Sequence, residues 1–455
     1  MKAPSEYFNE AYLKEYFNKN IRKKKGGGRD NLTPEKYFEK YGDEFGKICQ
    51  KCLDGSYRFS YYNEKLVVKS SKKLPRVLSI PTVRDRLVLG VLNDYLSDTF
   101  PECVNHLVPN SLIYRISKYI ENHSQEEISF LRTDFHNFYG TLYIKLLMNM
   151  IADRVTDGAI CDLIYKAITT RTISGSAPKR NKRPRWQGIP QGLAISNILA
   201  AIYMQAFDME FGGANAGLYI RYVDDILFLD IKKQNLLDEM ISEIKRRNLK
   251  LTLSVDKCKS GIVGKDSLDF IGYTINNKIF IRKKNVTNFL NRIAALSSKC
   301  KSGLANPYQR PLFIKDEDRY NGYYVEEFNL LLSGFKYGNR LYGWLPYFQA
   351  ITDVSSLYGM DHVIKNTLLK GLPKEITLHT NSLVDTYYDI HRNGGNNMVA
   401  NFDKLETIDE KLNFLCRRGR IDRSKPYTDE QILNHFDSYM DLIKRVSEHN
   451  IGQIS

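Results

Sequence analysis

Three aspartates are placed to do chemistry in this chain. Asp224 and Asp225 stand side by side between two runs of apolar and β-branched residues, Leu218-Tyr-Ile-Arg-Tyr-Val223 and Ile226-Leu-Phe-Leu-Asp230. Asp134 ends another such run, Glu126-Glu-Ile-Ser-Phe-Leu-Arg-Thr-Asp134. Neighbouring carboxylates repel one another, and desolvating them is costly. A purely structural turn between strands would use Asn-Gly or Asp-Gly. Two acids in that place suit a divalent cation that prefers hard oxygen ligands, Mg²⁺ first. Taken alone, the pair fits an exposed acidic turn as well as a metal site. Asp134 alone fits a helix N-cap as well as a ligand.

The elements around these residues decide whether they can meet. The runs flanking Asp224 and Asp225 predict strand, tight turn, strand, with the carboxylates at the tip. Residues 126–134 predict a strand that turns into a helix near Thr141, and 141–173 read as helix. Upstream, residues 1–60 carry aromatics at helical spacing. They are interrupted by Arg22-Lys-Lys-Lys-Gly-Gly-Gly-Arg-Asp-Asn-Leu-Thr-Pro-Glu35, after which Thr33 caps a helix with Pro34 at its first position. That break is a phosphate cradle or a solvated loop. Residues 74–89 predict a strand, a turn at Pro81 and a helix from Thr82. Arg76, Arg84 and Arg86 crowd this helix start, a seat for phosphate or a set of surface arginines.

Basic residues cluster at Lys179-Arg-Asn-Lys-Arg-Pro-Arg-Trp186, ahead of the tight loop Gln187-Gly-Ile-Pro-Gln-Gly192 and an apolar helix. Glycine there permits close approach of backbone to a nucleotide. Residues 232–248 predict an amphipathic helix, 249–255 a strand, 256–261 a turn. The runs at 268–275 and 278–281 predict a hairpin around Asn276 and Asn277. Beyond residue 283 the pattern is mainly helical, with polar interruptions at 301–321 and 393–397. Aromatics at 335–348 fall at helical spacing, as for a core.

The chain has 455 residues, with 67 Lys and Arg against 52 Asp and Glu, a net charge of +15 spread along its length. That points to a polyanionic partner, nucleic acid ahead of a membrane surface. Hydrophobic residues at 42% exclude a disordered chain. No apolar run has the length of a membrane span, and Met1-Lys-Ala-Pro-Ser-Glu-Tyr-Phe8 lacks the apolar core of a signal peptide. Seven cysteines, an odd number, fit a reducing cytoplasm. Cys49 and Cys52 read as buried thiols rather than zinc ligands, having no second pair nearby.

The order of these signals resembles the reverse transcriptases. The hairpin is Tyr222-Val-Asp-Asp225, the first acid lies in Asp134-Phe-His-Asn-Phe-Tyr139, and the Gly-Ile-Pro-Gln-Gly loop falls between them, with arginines upstream and a Lys-bearing turn downstream. The resemblance covers roughly residues 20–280 and implies an α+β right-hand polymerase fold with fingers, palm and thumb. In its terms, residues 1–130 are fingers with N-terminal helices and 131–281 the palm with an antiparallel sheet. Residues 282–370 are a helical thumb, and 371–455 a helical C-terminal extension. It implies RNA-directed DNA synthesis, adding dNMPs to a 3′-hydroxyl with two Mg²⁺ ions, or Mn²⁺ in their place.

Asp134, Asp224 and Asp225 are then the metal ligands. Tyr139 resembles the family's aromatic gate against a 2′-hydroxyl, with Phe135 beside it. Gln191 and Gly192 match the loop that contacts the incoming nucleotide, and Arg76 and Arg84 are the candidate triphosphate contacts. Lys257, in Ser254-Val-Asp-Lys-Cys258, resembles the turn that supplies a proton to pyrophosphate, although Ser254 and Cys258 depart from the family pattern. Phe270-Ile-Gly-Tyr273 resembles the primer grip, with Phe270, Gly272 and Tyr273 as its members.

Departures narrow the subfamily. Val223 stands where prokaryotic members commonly have Ala. The Asn-Ala-x-x-His and Val-Thr-Gly signatures of retrons, the His and Cys clusters of group II intron endonucleases and an RNase H acidic set are not evident in the sequence. What remains resembles abortive-infection and other antiviral-defence reverse transcriptases of bacteria. That resemblance implies RNA as template, a noncoding RNA encoded nearby, dNTPs and a DNA product, with homo-oligomers as an option, no membrane and a cytoplasmic setting. Untemplated or protein-primed synthesis is the alternative, and a retron- or intron-type enzyme the second.

Overall fold

The computed structural model describes residues 2–22, 26–68, 75–104, 108–174, 186–213, 217–231 and 235–452. The lysines at 23–25 and the basic stretch at 179–185 lie outside them. The chain divides into two units, Met1–His106 with Ile128–Ser260 and Leu107–Glu127 with Gly261–Ser455.

In the first unit, α1 (Pro34–Tyr41) begins where its signals put it. The Thr33 side chain accepts from Lys36 N, and Pro34 sits where no donor is needed. In α2 (Phe45–Leu53) Cys49 and Cys52 are buried and free, and burial pushes the Cys49 thiol up to about 11. Strand β1 (Tyr62–Val67) pairs antiparallel with β2 (Arg76–Ile80). Thr82 caps α3 (Val83–Thr99), accepting from Asp85 N at 3.2 Å. Its buried residues run from Val83 to Thr99 in the core, while Arg84, Arg86, Asn93, Asp94 and Asp98 are less buried.

Strand β3 (Ser129–Asp134) ends on its aspartate. Asn137, at φ 45°, turns the chain into the short helix Phe138–Thr141. The helix expected over 141–173 is two helices, α4 (Ile144–Ala152) and α5 (Gly158–Thr169), followed by β4 (Thr172–Ile173). Asp157 makes the break: its carboxylate accepts from Ala159 N and Ile160 N and starts α5. Helix α6 (Ser196–Gly213) leads to the hairpin β5 (Leu218–Tyr222) and β6 (Asp225–Asp230). Helix α7 (Leu236–Arg246) and a short strand β7 (Lys259–Ile262) follow.

The sheet order is β5-β6-β3-β7. Residues 249–254 form no regular strand, and Val255 already belongs to a 3₁₀ turn. Asn248 and Lys250 take positive φ, 54° and 57°, which breaks the pleat. The segment still bonds to the end of β3, with Ser254 N donating to Asp134 O and His136 N to Thr252 O, both at 2.8 Å.

In the second unit, β8 (Leu268–Phe270), β9 (Tyr273–Ile275) and β10 (Ile279–Ile281) form an antiparallel sheet. The run 268–275 is therefore two strands. Ile271 and Gly272, at φ 46° and 85°, have the two left-handed residues of a type I′ turn. Helices α8 (Lys283–Ala305) and α9 (Glu317–Leu332) follow, covering much of the stretch read as a polar interruption.

The aromatics at 335–348 are not one helix. They make the hairpin β11 (Phe335–Tyr337) and β12 (Arg340–Tyr342) around Gly338 and Asn339, at φ 59° and 57°, then the short helix Trp344–Tyr347. The Gly-Asn turn overrides the helical spacing, while Phe335, Trp344 and Phe348 are buried as a core pattern requires. Helices α10 (Leu383–Asn393), α11 (Ile408–Arg417) and α12 (Asp429–Gly452) complete the unit. Among the described residues no helix is long and apolar enough to cross a membrane.

Candidate active site

Strand pairing brings the three aspartates together. Asp134, last in β3, lies opposite Asp225, first in β6, and Tyr222 flanks Asp225 on the other side. Asp224 is in the turn, where its carbonyl accepts from Phe135 N at 3.3 Å. The turn has two residues, Val223 and Asp224, and Val223 has φ 60°. A positive φ at the first position alone is the pattern of a type II′ turn, usually filled by glycine. For a β-branched residue it is strained by roughly 1–3 kcal/mol.

A clamp holds this turn. Arg221 donates from Nη1 to Val223 O at 2.8 Å and from Nε to Asp208 Oδ1 at 2.8 Å, with Nη2 on Asp208 Oδ2. The Tyr219 hydroxyl donates to Asp208 Oδ1 at 2.7 Å. Asp208 comes from α6, so the helix grips the hairpin through one carboxylate. Burial opposes the Arg221 charge, but Asp208 and Tyr219 outweigh it and hold the guanidinium above its usual range. Sequence reading missed this pair. Its signal was an arginine inside an otherwise apolar strand, a charge that needs a buried partner.

Two cations engage the carboxylates. Lys257 Nζ bonds to Asp134 Oδ2, and Arg132 Nη2 lies 3.4 Å from Asp225 Oδ1. Arg132 is two residues before Asp134 and so shares its face of β3. Lys257 is placed by the 3₁₀ turn Val255–Lys257, which hangs from the 249–254 segment. Burial raises the Asp225 carboxyl, Arg132 opposes that, and Asp224 and Asp134 add to the rise.

Among the described residues no three His, Cys, Asp or Glu stand as a ready-made metal cage. The residues nevertheless fit a divalent cation. All three are hard oxygen donors, and Asp134 Oδ1 is buried with no hydrogen-bond partner. Asp134, Asp224 and Asp225 would hold the ion.

The remaining candidates separate into groups. Tyr139 donates its hydroxyl to Asn197 Oδ1 at 2.7 Å. Its phenol is pushed up to about 12 by burial and by Asp224, with Arg221 and Arg76 pulling the other way. Arg76 and the carboxylate turn thus act on the same ring. The loop 187–192 is sewn in on both sides: Ile189 N donates to Tyr139 O and Ser79 N to Gln191 O, each at 2.8 Å. Gly192, at φ 96°, lies against β2, where an added Cβ would meet Ser79 O at 3.4 Å.

Phe135 is buried, stacked on Phe138 with centroids 5.4 Å apart. It serves as floor rather than as a contact surface. Arg84 is turned to another set of groups. It donates to Asp85 Oδ1, Arg58 O and Ser60 Oγ and lies 5.0 Å over the Tyr57 ring.

The primer-grip candidates belong to the second unit. Phe270 and Tyr273 pair across the Ile271-Gly272 turn and are both buried. Tyr273 donates to Tyr347 O at 2.6 Å, and Gly272 O accepts from Asn285 Nδ2 at 2.9 Å.

Residues 67–275 match the family model described as reverse transcriptase (RNA-dependent DNA polymerase). The stretch that holds this sheet and its aspartates is therefore similar to the reverse transcriptase domain. Among curated proteins, the putative COX1/OXI3 intron 2 protein of Saccharomyces cerevisiae is 25% identical over 200 residues, 42% of this chain and 22% of that protein. Protein YkfC of Escherichia coli is 26% identical over 299 residues, 55% of this chain and 76% of that protein. The chain thus spans under a quarter of the length of the yeast relative and about three quarters of the bacterial one. Among solved structures, telomerase from Candida albicans with a fragment of telomeric RNA aligns over 91% of this chain and 69% of that one, at 13% identity and a TM-score of 0.43. Apo telomerase from Candida tropicalis aligns over 91% and 71%, at 12% identity and a TM-score of 0.41.

Proposed function

We propose that this protein is an RNA-directed DNA polymerase that adds dNMPs from dNTPs to a 3′-hydroxyl. One observation carries the proposal. Asp134 and Asp225 are set opposite each other by strand register, with Asp224 beside them and one Asp134 oxygen buried without a partner. Three acids so placed serve to bind Mg²⁺ ions. When bound, the ions activate the 3′-hydroxyl and neutralise the charge that develops on the phosphates.

The chain's own residues do the rest. Arg76 meets the triphosphate. The Tyr139 ring, fixed by Asn197, is the gate against a ribose 2′-hydroxyl. The 187–192 loop offers backbone to the incoming nucleotide. Lys257 leaves Asp134 to give a proton to the departing pyrophosphate.

Purified protein given Mg²⁺, dNTPs and a primed RNA template tests this. RNA-dependent incorporation that Asp224→Asn with Asp225→Asn abolishes is expected. Synthesis that survives RNase and leaves DNA attached to protein would instead support untemplated or protein-primed addition. A finer reading is a bacterial antiphage-defence enzyme working with a noncoding RNA. Its support is the helical region that follows the polymerase domain. Sequencing the RNA and DNA that copurify with the protein tests it: a single recurrent small RNA is expected, and random cellular RNA would overturn it.

A further inference from the structure

A cavity of about 320 Å³ opens in the first unit, between the loop following Gly28, α1, α2 and the start of α3. Its lining includes none of the three aspartates, nor Arg76, Tyr139 or the 187–192 loop.

Two polar groups of the lining have no bond within the described residues. The Tyr37 ring is 4% exposed, and its hydroxyl has no hydrogen-bond partner. Arg84 uses Nε and Nη2 for Asp85, Arg58 and Ser60, which leaves Nη1. The Arg84 side chain is 37% exposed, so water reaches it, and both groups are donors open to an acceptor that enters the cavity.

The rest of the lining narrows what that acceptor belongs to. Tyr41 stands beside Tyr37, with ring centroids 5.3 Å apart. Lys47, whose ammonium lies 3.6 Å from the Glu44 carboxylate, also lines the cavity with Glu44, Lys51 and Asp30. Rings take the face of a heterocycle. The guanidinium and ammoniums take phosphate oxygens. The carboxylates accept from sugar hydroxyls or exocyclic amines. An apolar ligand would leave Nη1 and the Tyr37 hydroxyl unmatched, and a bare phosphate would leave the rings unused. The volume lies within the range of roughly 300–1,000 Å³ of small-molecule pockets.

We propose that this cavity binds a single nucleotide, an aromatic base carrying a phosphate, at a site separate from the aspartates. The inference goes beyond the polymerase reading and does not rest on it. The nucleotide is either free or the phosphorylated end of a strand.

Calorimetric titration of the full chain without divalent cation distinguishes these. The probes are nucleoside 5′-monophosphates, inorganic phosphate and a 5′-phosphorylated tetranucleotide. One-to-one saturable binding of at least one monophosphate is expected, with inorganic phosphate at least tenfold weaker. Tyr41→Ala weakens it roughly tenfold, and Lys47→Glu with Lys51→Glu by more. The two lysines are on the surface, so the charge-reversal variant keeps its fold and carries the test even where Tyr41→Ala does not. Binding of the tetranucleotide alone, lost in the same variants, assigns the site to a strand end. No saturable binding of any probe, or binding that both sets of substitutions leave unchanged, overturns the proposal.

Discussion

On the proposed reading, Tyr139 joins two roles that substitution can separate. Its ring is held by the Asn197 bond and by burial. Removing only the hydroxyl, Tyr139→Phe, takes away one hydrogen bond and costs about 1 kcal/mol of stability, while the ring still blocks a 2′-hydroxyl. Tyr139→Ala removes the block. Single-nucleotide incorporation should show the dNTP preference in kcat/KM kept by Phe and reduced at least tenfold by Ala; equal preference in parent and Ala would refute the gate.

Asp225 is the second case at this scale. Its folded-state carboxyl is raised above the ordinary value, first by burial. Between the ordinary and the raised value the native state binds more protons than the unfolded one, so stability falls as pH rises through that window. At neutral pH the charge is a net cost. Asp225→Asn should melt at a higher temperature than the parent at pH 7, and the gap should narrow as pH falls below the window. A lower melting temperature for the variant at pH 7 would contradict this. The aspartates themselves were legible in the sequence because acids between apolar strands are anomalous. Their cations were not: Arg132 and Lys257 meet them only through strand register and a distant turn.

At the scale of elements, the hairpin and α6 form one device. Arg221→Met leaves Asp208 part-buried without its partner and frees the carbonyl of a strained turn. Breaking such a pair costs roughly 3 kcal/mol, whereas replacing both members, Arg221→Met with Asp208→Leu, costs much less. Denaturant unfolding of the four proteins of this double-mutant cycle measures the coupling; additive losses would show that the clamp does not act as a unit. The sequence made the strands and their turn visible through alternation and a polar break. Three longer readings failed for local reasons: an Asp157 cap splits a helix, an Ile271-Gly272 turn splits a strand, and a Gly338-Asn339 turn makes a hairpin of aromatics spaced as for a helix. Short turns with left-handed residues outweigh periodicity, and a periodicity reading does not detect them.

For the whole molecule, the charge of +15 is the dominant long-range property. If nucleic acid is the partner, affinity must fall with salt by a power law, with a slope of about −0.7 per neutralised phosphate on a single strand. With three or more phosphate contacts, raising monovalent salt from 50 to 200 mM weakens RNA binding roughly tenfold or more. Fluorescence anisotropy with a short RNA reads this directly, and a flat response would remove polyanion binding from the account. Composition alone suggested such a partner. The division of the chain at Ser260, by contrast, had no compositional mark: no Pro- or Gly-rich linker stands there, and β7 runs across it.

The loop at 187–192 has a last consequence. It is bonded at one end to the strand that carries Arg76 and at the other to the carbonyl of Tyr139. In the proposed polymerase, phosphate capture by Arg76 and sugar inspection by Tyr139 would therefore share one mechanical linkage. In such a polymerase, a nucleotide whose triphosphate seats poorly would displace the strand, and with it the backbone behind the Tyr139 ring. On the proposed reading, fidelity would be a property of the linkage rather than of the aromatic ring alone, and an error in one half of the nucleotide would be felt at the other.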